Sequence, residues 1–239
     1  MVLAARPLVV VPTCDEVDNV DALLGGIARD APFADVLFVD DGSRDGTPDK
    51  IRRHQSSRPG RIHLLERPQK AGLGSAYVLA FRWALERDYD AVQQMDADLS
   101  HDSADLPRTL DFPAGHDVVI GSRYVPGGAT VNWSLSRKLL SWLANRYAGA
   151  MLGLRQRDLT GGFNAWRRRV LETVALDEVR SAGYAFQVEM KYRAAQAGFA
   201  LAEIPIVFAE RRAGHSKLSA SVALEGLTRV WALRRERRP

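Results

Sequence analysis

A chain of 239 residues, 46% apolar and 26% charged, has the make-up of a globular protein with one sizeable core, and a single domain over residues 1–239 is expected. The net charge of +4 is too small to mark a nucleic-acid binder, and the excess gathers after Pro205, where Arg211, Arg212, Lys217, Arg229, Arg234, Arg235, Arg237 and Arg238 face only Glu210, Glu225 and Glu236. The lone Cys14 excludes an intrachain disulfide and fits a reducing compartment; with no signal-peptide pattern and no apolar run near the ~20 residues that span a bilayer, a cytoplasmic location is expected.

Short β-branched runs alternate with helical patterns. Leu8–Val11 reads as a strand, Val17–Arg29 as a helix, Val36–Val39 as a strand and Thr47–Gln55 as a helix. Ile62–Leu65, Leu73–Glu86, Ala91–Met95, Asp105–Leu110 and Val118–Ile120 continue the alternation, which predicts an α/β fold with a mainly parallel, doubly wound sheet. Then come a Gly-rich loop at Pro126–Thr130, an amphipathic stretch from Ser134 to Leu152, a strand over Ala202–Phe208, a polar loop at Glu210–Lys217 and a last helix from Ser219 to about Arg234. In such sheets the ligand crevice lies beyond the carboxyl ends of the strands, so the polar clusters Thr13–Glu16, Asp40–Asp45, Asp96–Asp98 and Ser122–Tyr124 are expected to share one rim.

Asp96-Ala97-Asp98 closes a strand, and carboxylates at i and i+2 there can turn toward one divalent cation. Such hard oxygen donors suit Mg²⁺ or Mn²⁺ bridging a diphosphate, with Ser100 as a further oxygen; the plainer alternative is two aspartates capping a turn. In Asp40-Asp41-Gly42-Ser43 and Asp45-Gly46-Thr47, Asp41 is assigned to a ribose or base, and Thr47 to the N-cap of the next helix after an Asx turn. Lys70-Ala71-Gly72-Leu73-Gly74-Ser75 opens a helix and offers backbone N–H groups and a lysine to an anion, without the Walker pattern. Arg123 and Arg137 are expected to hold phosphate, and Arg211 and Lys217 bracket a loop able to close over a diphosphate.

The ordered set Pro12-Thr13-Cys14-Asp15-Glu16, Asp40-Asp41-Gly42-Ser43, Gly72-Leu73-Gly74, Met95 to His101, Gly121-Ser122-Arg123-Tyr124, Asp158 to Phe163, Gly183 to Met190 and Gly214 to Leu218 resembles the dolichol- and polyprenol-phosphate mannose synthases, within the family 2 glycosyltransferases of GT-A fold. The resemblance implies that Pro12, Cys14, Glu16, Val39 and Asp41 cradle guanosine, with Lys70 nearby. It further implies that Asp96, Ala97 and Asp98 serve the ribose, diphosphate and metal, that Arg123 and Arg137 hold phosphate oxygens of donor and acceptor, and that Arg211 and Lys217 clamp the diphosphate from the other side. One departure is Cys14-Asp15, where the family commonly has Tyr-Asn, so an aromatic ring is missing from the base pocket.

The reaction implied is inverting transfer of mannose from GDP-mannose to a polyprenyl phosphate, supported by Mg²⁺ or Mn²⁺ and lacking an obvious catalytic histidine, since His101 and His215 only flank the motifs. A UDP-sugar donor is the rival within the same fold, and a basic nucleic-acid-binding module is the rival from another class. Residues 134–152 and 219–235 carry apolar and aromatic residues beside basic ones, such as Leu139, Trp142 and Leu143 with Lys138 and Arg146. Two core-packed amphipathic helices would look the same; with a lipid substrate the first is expected at the membrane interface, and the second against lipid or a membrane-anchoring partner.

Overall fold

Leu8, Val9, Val10 and Val11 are all buried, and so are Val36, Leu37, Phe38 and Val39. Runs buried on both faces mark a parallel sheet held between helix layers. The computed structural model describes residues 2–181, 183–210 and 220–235. Its strands are β1 (Val2–Leu3), β2 (Pro7–Thr13), β3 (Asp35–Asp40), β4 (Ile62–Glu66), β5 (Ala91–Gln94), β6 (Asp111–Phe112), β7 (Val118–Ser122), β8 (Ala129–Val131), β9 (Asn164–Arg167), β10 (Leu201–Pro205) and β11 (Val207–Ala209). Its helices are α1 (Val20–Asp30), α2 (Thr47–Ser57), α3 (Leu73–Leu85), α4 (Leu106–Leu110), α5 (Leu135–Leu152), α6 (Arg168–Thr173), α7 (Gly183–Gln196) and α8 (Ala220–Arg235).

The main sheet runs β10-β7-β9-β5-β2-β3-β4. All neighbours are parallel except β9, which lies antiparallel between β5 and β7. Two antiparallel steps restore the direction, so β2, β3, β5, β7 and β10 end on one edge, and β9 begins there. The expected Ala202–Phe208 strand is two strands: Ile206 is buried between β10, on the main sheet, and β11, which pairs with β8 outside it. The expected loop at Pro126–Thr130 therefore ends in a strand.

The sheet separates two apolar clusters. Tyr77, Phe81, Trp166, Val170, Phe186 and Met190 join α3, α6 and α7 on one face, and Leu23, Ile27, Phe38, Ile51 and Leu106 join α1, α2 and α4 on the other. Gly74 lets α3 meet its neighbours closely, since a Cβ there would stand 2.6 Å from the Ser181 carbonyl and 3.0 Å from Phe186.

Helix α5 begins where expected, Ser134 accepting from the Arg137 N–H at 3.3 Å, and stops at Gly153 in the left-handed region with φ 72°. Its apolar packing is in the second half, where Ala148 and Leu152 join Leu159, Val188, Tyr192 and, from α8, Val230 and Leu233. Its first half leaves Leu135 84% exposed, with Leu139, Leu140, Trp142 and Leu143 also in solvent.

Candidate functional site

The four polar clusters do meet along one edge, and each turn is held by side chains bonding to backbone. The Asp40 carboxylate accepts from Thr13 Oγ1 at 3.0 Å, the Ser43 N–H at 2.9 Å and Ser43 Oγ at 2.6 Å. Asp45 closes the expected Asx turn, accepting from the Thr47 N–H at 2.9 Å and from the Val17 N–H at 2.9 Å. Thr47 is not the N-cap: Gly46, at φ 94°, holds that position, and the Thr47 hydroxyl instead links Asp45 to the Glu16 N–H at 3.0 Å. Asp15 sits at φ 59° with its N–H on Ser43 Oγ, so the half-buried Cys14 and Glu16 lie on a loop fixed in a sparsely populated conformation, just past the half-buried Pro12 of β2.

Asp41 and the loop after β4 correct one expectation. The Ala71 and Gly72 N–H groups expected to receive an anion point at the protein's own Asp41, at 3.4 and 3.3 Å, and Arg67 pairs with the same carboxylate. Asp41 is buried beside the buried Val39, while Lys70 on that loop is exposed. The Asp41 carboxylate thus ties the end of β3 to the loop that opens α3.

Beyond β5, Asp98 is 5% exposed and its Oδ1 accepts from the Ser100 N–H at 3.1 Å and Ser100 Oγ at 2.5 Å. Ser100 therefore orients Asp98 rather than standing as an independent donor. Leu99 has φ 60°, a costly conformation for a bulky residue, and it sets the turn that brings Asp96 and Asp98 off the strand. His101 Nδ1 accepts from the Asp96 N–H at 3.2 Å, which places the proton on Nε2. Burial holds the His101 pKa down against the attraction of Asp96 and Asp98, so the ring is neutral. Among the described residues no three His, Cys, Asp or Glu side chains cluster as a metal cage. Two strand-end carboxylates fit a hard cation that takes its other ligands from a diphosphate and water.

His101 is also the start of an aromatic shelf. Its ring lies 4.8 Å from Phe163 and 5.1 Å from Phe208, and Phe208 meets Trp133 edge-on at 5.5 Å. The guanidinium carbons of Arg137 and Arg123 stand 4.0 and 5.3 Å from the Trp133 ring centroid, so the two expected arginines share one ring. Arg137 donates to Glu210 at 3.1 Å and keeps a buried Nε with no hydrogen-bond partner among the described residues.

Arg123 is not a free phosphate arm. Its Nε and Nη2 each donate to Asp158 at 2.7 Å, its backbone N–H donates to the same carboxylate at 2.9 Å, and Nη2 also reaches Thr160 at 3.0 Å. Both side chains are out of water, at 5% and 0% exposure. Burial works against each charge, but their mutual attraction outweighs it, pushing the guanidinium pKa up and holding the carboxyl below its ordinary range. Nη1 alone is uncommitted among the described residues.

The loop that carries Asp158 was missed as a structural hub. Asp158 also receives the Gly161 N–H at 3.0 Å, and Asn145 of α5 accepts the Leu159 and Thr160 N–H groups at 2.7 and 3.0 Å. A Cβ on Gly162 would stand 3.7 Å from the Asp96 carboxylate, so the loop spans from Arg123 to the Asp96 side of the rim. Below it lie a fully buried Lys191 and the buried amides of Asn164, Gln94 and Gln187, with Asn164 donating to both glutamines at 3.1 Å. Arg211 and Lys217, expected to clamp the diphosphate, lie outside the described residues.

A mixed, mainly parallel sheet between helix layers, with carboxylates at the end of β5 and arginines past β7, defines an α/β nucleotide-sugar transferase fold of the GT-A kind. The model described as glycosyl transferase family 2 matches residues 8–175, and the chain belongs to that family. It is similar to the undecaprenyl-phosphate mannosyltransferase of Micrococcus luteus, at 44% identity over 230 residues, covering 95% of this chain and 94% of that one. It is equally similar to the polyprenol monophosphomannose synthase of Mycolicibacterium smegmatis, at 44% over 232 residues, covering 96% and 88%. Among solved structures, glucosyl-3-phosphoglycerate synthase from Mycobacterium tuberculosis matches 98% of this chain and 81% of its own, with a TM-score of 0.70 at 15% identity, a likeness of fold.

Proposed function

We propose that the chain transfers mannose from GDP-mannose to a polyprenyl phosphate with inversion at the anomeric carbon. The observation that carries the reading is that Asp96 and Asp98 past β5, Arg123 past β7 and Arg137 of α5 lie around one aromatic shelf of His101, Phe163, Phe208 and Trp133. A site of that composition suits two phosphate-bearing substrates, and the two curated relatives, by their names, make or use polyprenyl-phosphate mannose.

A phosphate oxygen of the lipid attacks the anomeric carbon, its new C–O bond forming as the bond to the diphosphate breaks and GDP leaves. A phosphate monoester has a second pKa of about 6, so the nucleophile is largely ionised at neutral pH and no general base is needed. That agrees with a neutral His101 whose Nδ1 is occupied by the Asp96 N–H. Asp96 and Asp98 would hold Mg²⁺ or Mn²⁺, which supplies charge neutralisation on the departing diphosphate. The Asp15 loop and the buried Asp41 wall in the nucleoside, and Arg137 with Nη1 of Arg123 orients the acceptor phosphate.

The reaction takes place at a bilayer surface, with the exposed apolar half of α5 resting in the interface and Lys138 and Arg146 beside it. Among the described residues no helix is long and apolar enough to cross a membrane. The cytoplasmic leaflet is the surface proposed, because its anionic lipids attract such basic residues. Trp231 of α8 is exposed with Arg235 stacked on it at 3.5 Å, a second contact for lipid or an anchoring protein.

The test offers purified protein a short polyprenyl phosphate with GDP-mannose or UDP-glucose, with Mg²⁺, with Mn²⁺ or with chelator. Lipid-linked mannose formed from GDP-mannose and abolished by chelator is expected. Transfer from UDP-glucose alone, which the loss of an aromatic ring at Cys14 would favour, overturns the donor.

A further inference from the structure

Lys191 is buried at 0% exposure on α7, where a lysine would ordinarily face solvent. Its Nζ donates to the Leu159 carbonyl at 3.0 Å and the Gly161 carbonyl at 2.8 Å. Those two carbonyls flank Thr160, which touches Arg123, and Gly161 precedes the Gly162 that stands beside Asp96. Asp158 and Asn145 hold the N–H groups of this loop; Lys191 holds its carbonyls from the opposite side. No other described lysine is buried in this protein.

We infer that Lys191 is a positioning residue whose ammonium fixes the 159–161 loop, and through it the placement of Arg123 and Asp96, so that turnover depends on its protonation. The inference deepens the mannosyl-transfer reading given above and rests on it. The charged groups facing Lys191 are Asp158, from the loop after α5, Arg123, from the end of β7, and Glu203, from β10. On its own helix the buried Glu189 is turned away, toward Ser181, Arg193 and Arg229. Burial brings the Lys191 pKa down to about 7, against the pull of Asp158, with Arg123 adding to the fall. The ammonium therefore loses its proton near neutrality, leaving an amine with two N–H groups for the same two carbonyls and one positive charge fewer beneath the phosphates.

The experiment follows kcat and both KM values from pH 5.5 to 9 for the parent, K191Q and K191M. Expected is a parent kcat that falls as pH rises through about 7. Both variants lose that limb, and kcat at pH 6.5 ranks parent, then K191Q, then K191M, the last about tenfold down with donor KM within twofold. Gln rescues in part because its amide still offers two donors. Persistence of the limb in both variants, or a K191M kcat within twofold of the parent, overturns the inference, whereas a parent that fails to transfer mannose at all overturns the functional reading instead. Should the variants not fold, the parent decides: the chain has only five lysines, and the Lys191 ¹³Cε resonance should titrate near 7 while the amides of 159–161 lose hydrogen-exchange protection across the same range. A Lys191 resonance that titrates only above 9, or protection unchanged from pH 6 to 8.5, also sinks it.

Discussion

At the ends of β2 and β3, charged side chains bond mostly to backbone N–H groups and hydroxyls, the Asp41–Arg67 pair being the exception; past β7 and ahead of β9, Arg123 and Asp158 bond to one another out of water. Asp40 and Asp45 hold Ser43, Thr47 and Val17, groups that lose little if one bond is removed. Arg123, Asp158 and Lys191 instead form a buried set in which each charge depends on the others. In the proposed reaction, turn-held side chains let the Asp15 loop adjust to a nucleoside. A buried ion set fixes direction in advance, which favours alignment of two repelling phosphates. The boundary between the two styles falls at Asp96, which follows β5 and faces Gly162 across the cleft.

The sharpest way to break this contrast is Asp158→Ala. It strands the Arg123 guanidinium in the interior, and removing one partner of a buried pair costs about 3–5 kcal/mol. Urea unfolding should show a loss of that order together with lost turnover; a loss under about 1 kcal/mol would mean water already reaches the pair. Arg123→Ala is subject to the same penalty, so Arg137→Ala, whose partner Glu210 is exposed, is the cleaner probe of the acceptor phosphate. Asp98→Ala should behave in the opposite manner. Its carboxylate bonds its near neighbour Ser100 on the rim, whereas Asp158 is half of a buried ion pair with Arg123, so stability should fall by about 1 kcal/mol for that hydrogen bond, while metal-dependent turnover falls about 100-fold or more. Equal destabilisation by Asp98→Ala and Asp158→Ala would erase the distinction.

The turn-held half was legible in the sequence and the buried half was not. Thr13 and Asp40 follow the apolar runs Leu8–Pro12 and Val36–Val39 directly, so strand and turn announce each other. β9 offers no such run: Asn164-Ala165-Trp166-Arg167 is short, polar at both ends and followed at once by Arg168 of α6. α7 buries Gln187, Glu189 and Lys191 along with its apolar residues, so no polar face marks its period. Lys191 reads as a surface residue, and only the fold shows the two carbonyls waiting for it. β10 and β11 read as one strand because Ile206 keeps the apolar pattern through the break.

Protonation separates the two halves more finely. With its native pKa near 7 against an ordinary 10.5, Lys191 is neutral in the folded chain and charged in the unfolded one between those values. The unfolded state binds more protons there, so this residue's contribution makes stability rise with pH from about 7 to about 10.5, and that gain is lost as pH falls back through about 7. The difference in unfolding free energy between the parent and K191M should therefore grow from pH 6.5 to 9.5, as kcat of the parent declines. A difference that stays flat across that range would place the Lys191 pKa at its ordinary value.

The smallest effect on the folded molecule, and the largest on where it works, is expected at the first half of α5. Leu139 and Leu143 are exposed and one helical turn apart, so glutamate at both positions removes no core contact and should change stability by less than about 0.5 kcal/mol per site. Burying a leucine side chain in an apolar phase yields about 1.5–3 kcal/mol, so losing two such contacts, with added repulsion from anionic headgroups, should weaken vesicle binding by 100-fold or more on that order-of-magnitude basis. Co-sedimentation with vesicles containing an anionic lipid gives the affinity, and assay of a short, water-soluble acceptor gives the turnover. The double variant should lose vesicle binding while turning over the soluble acceptor at the parent rate, because both leucines are exposed and make none of the contacts with Trp133 and Glu210 that hold Arg137 on the same helix. Vesicle binding unchanged from the parent would assign the exposed face of α5 to some other surface and leave α8, with Trp231 stacked on Arg235, as the membrane contact.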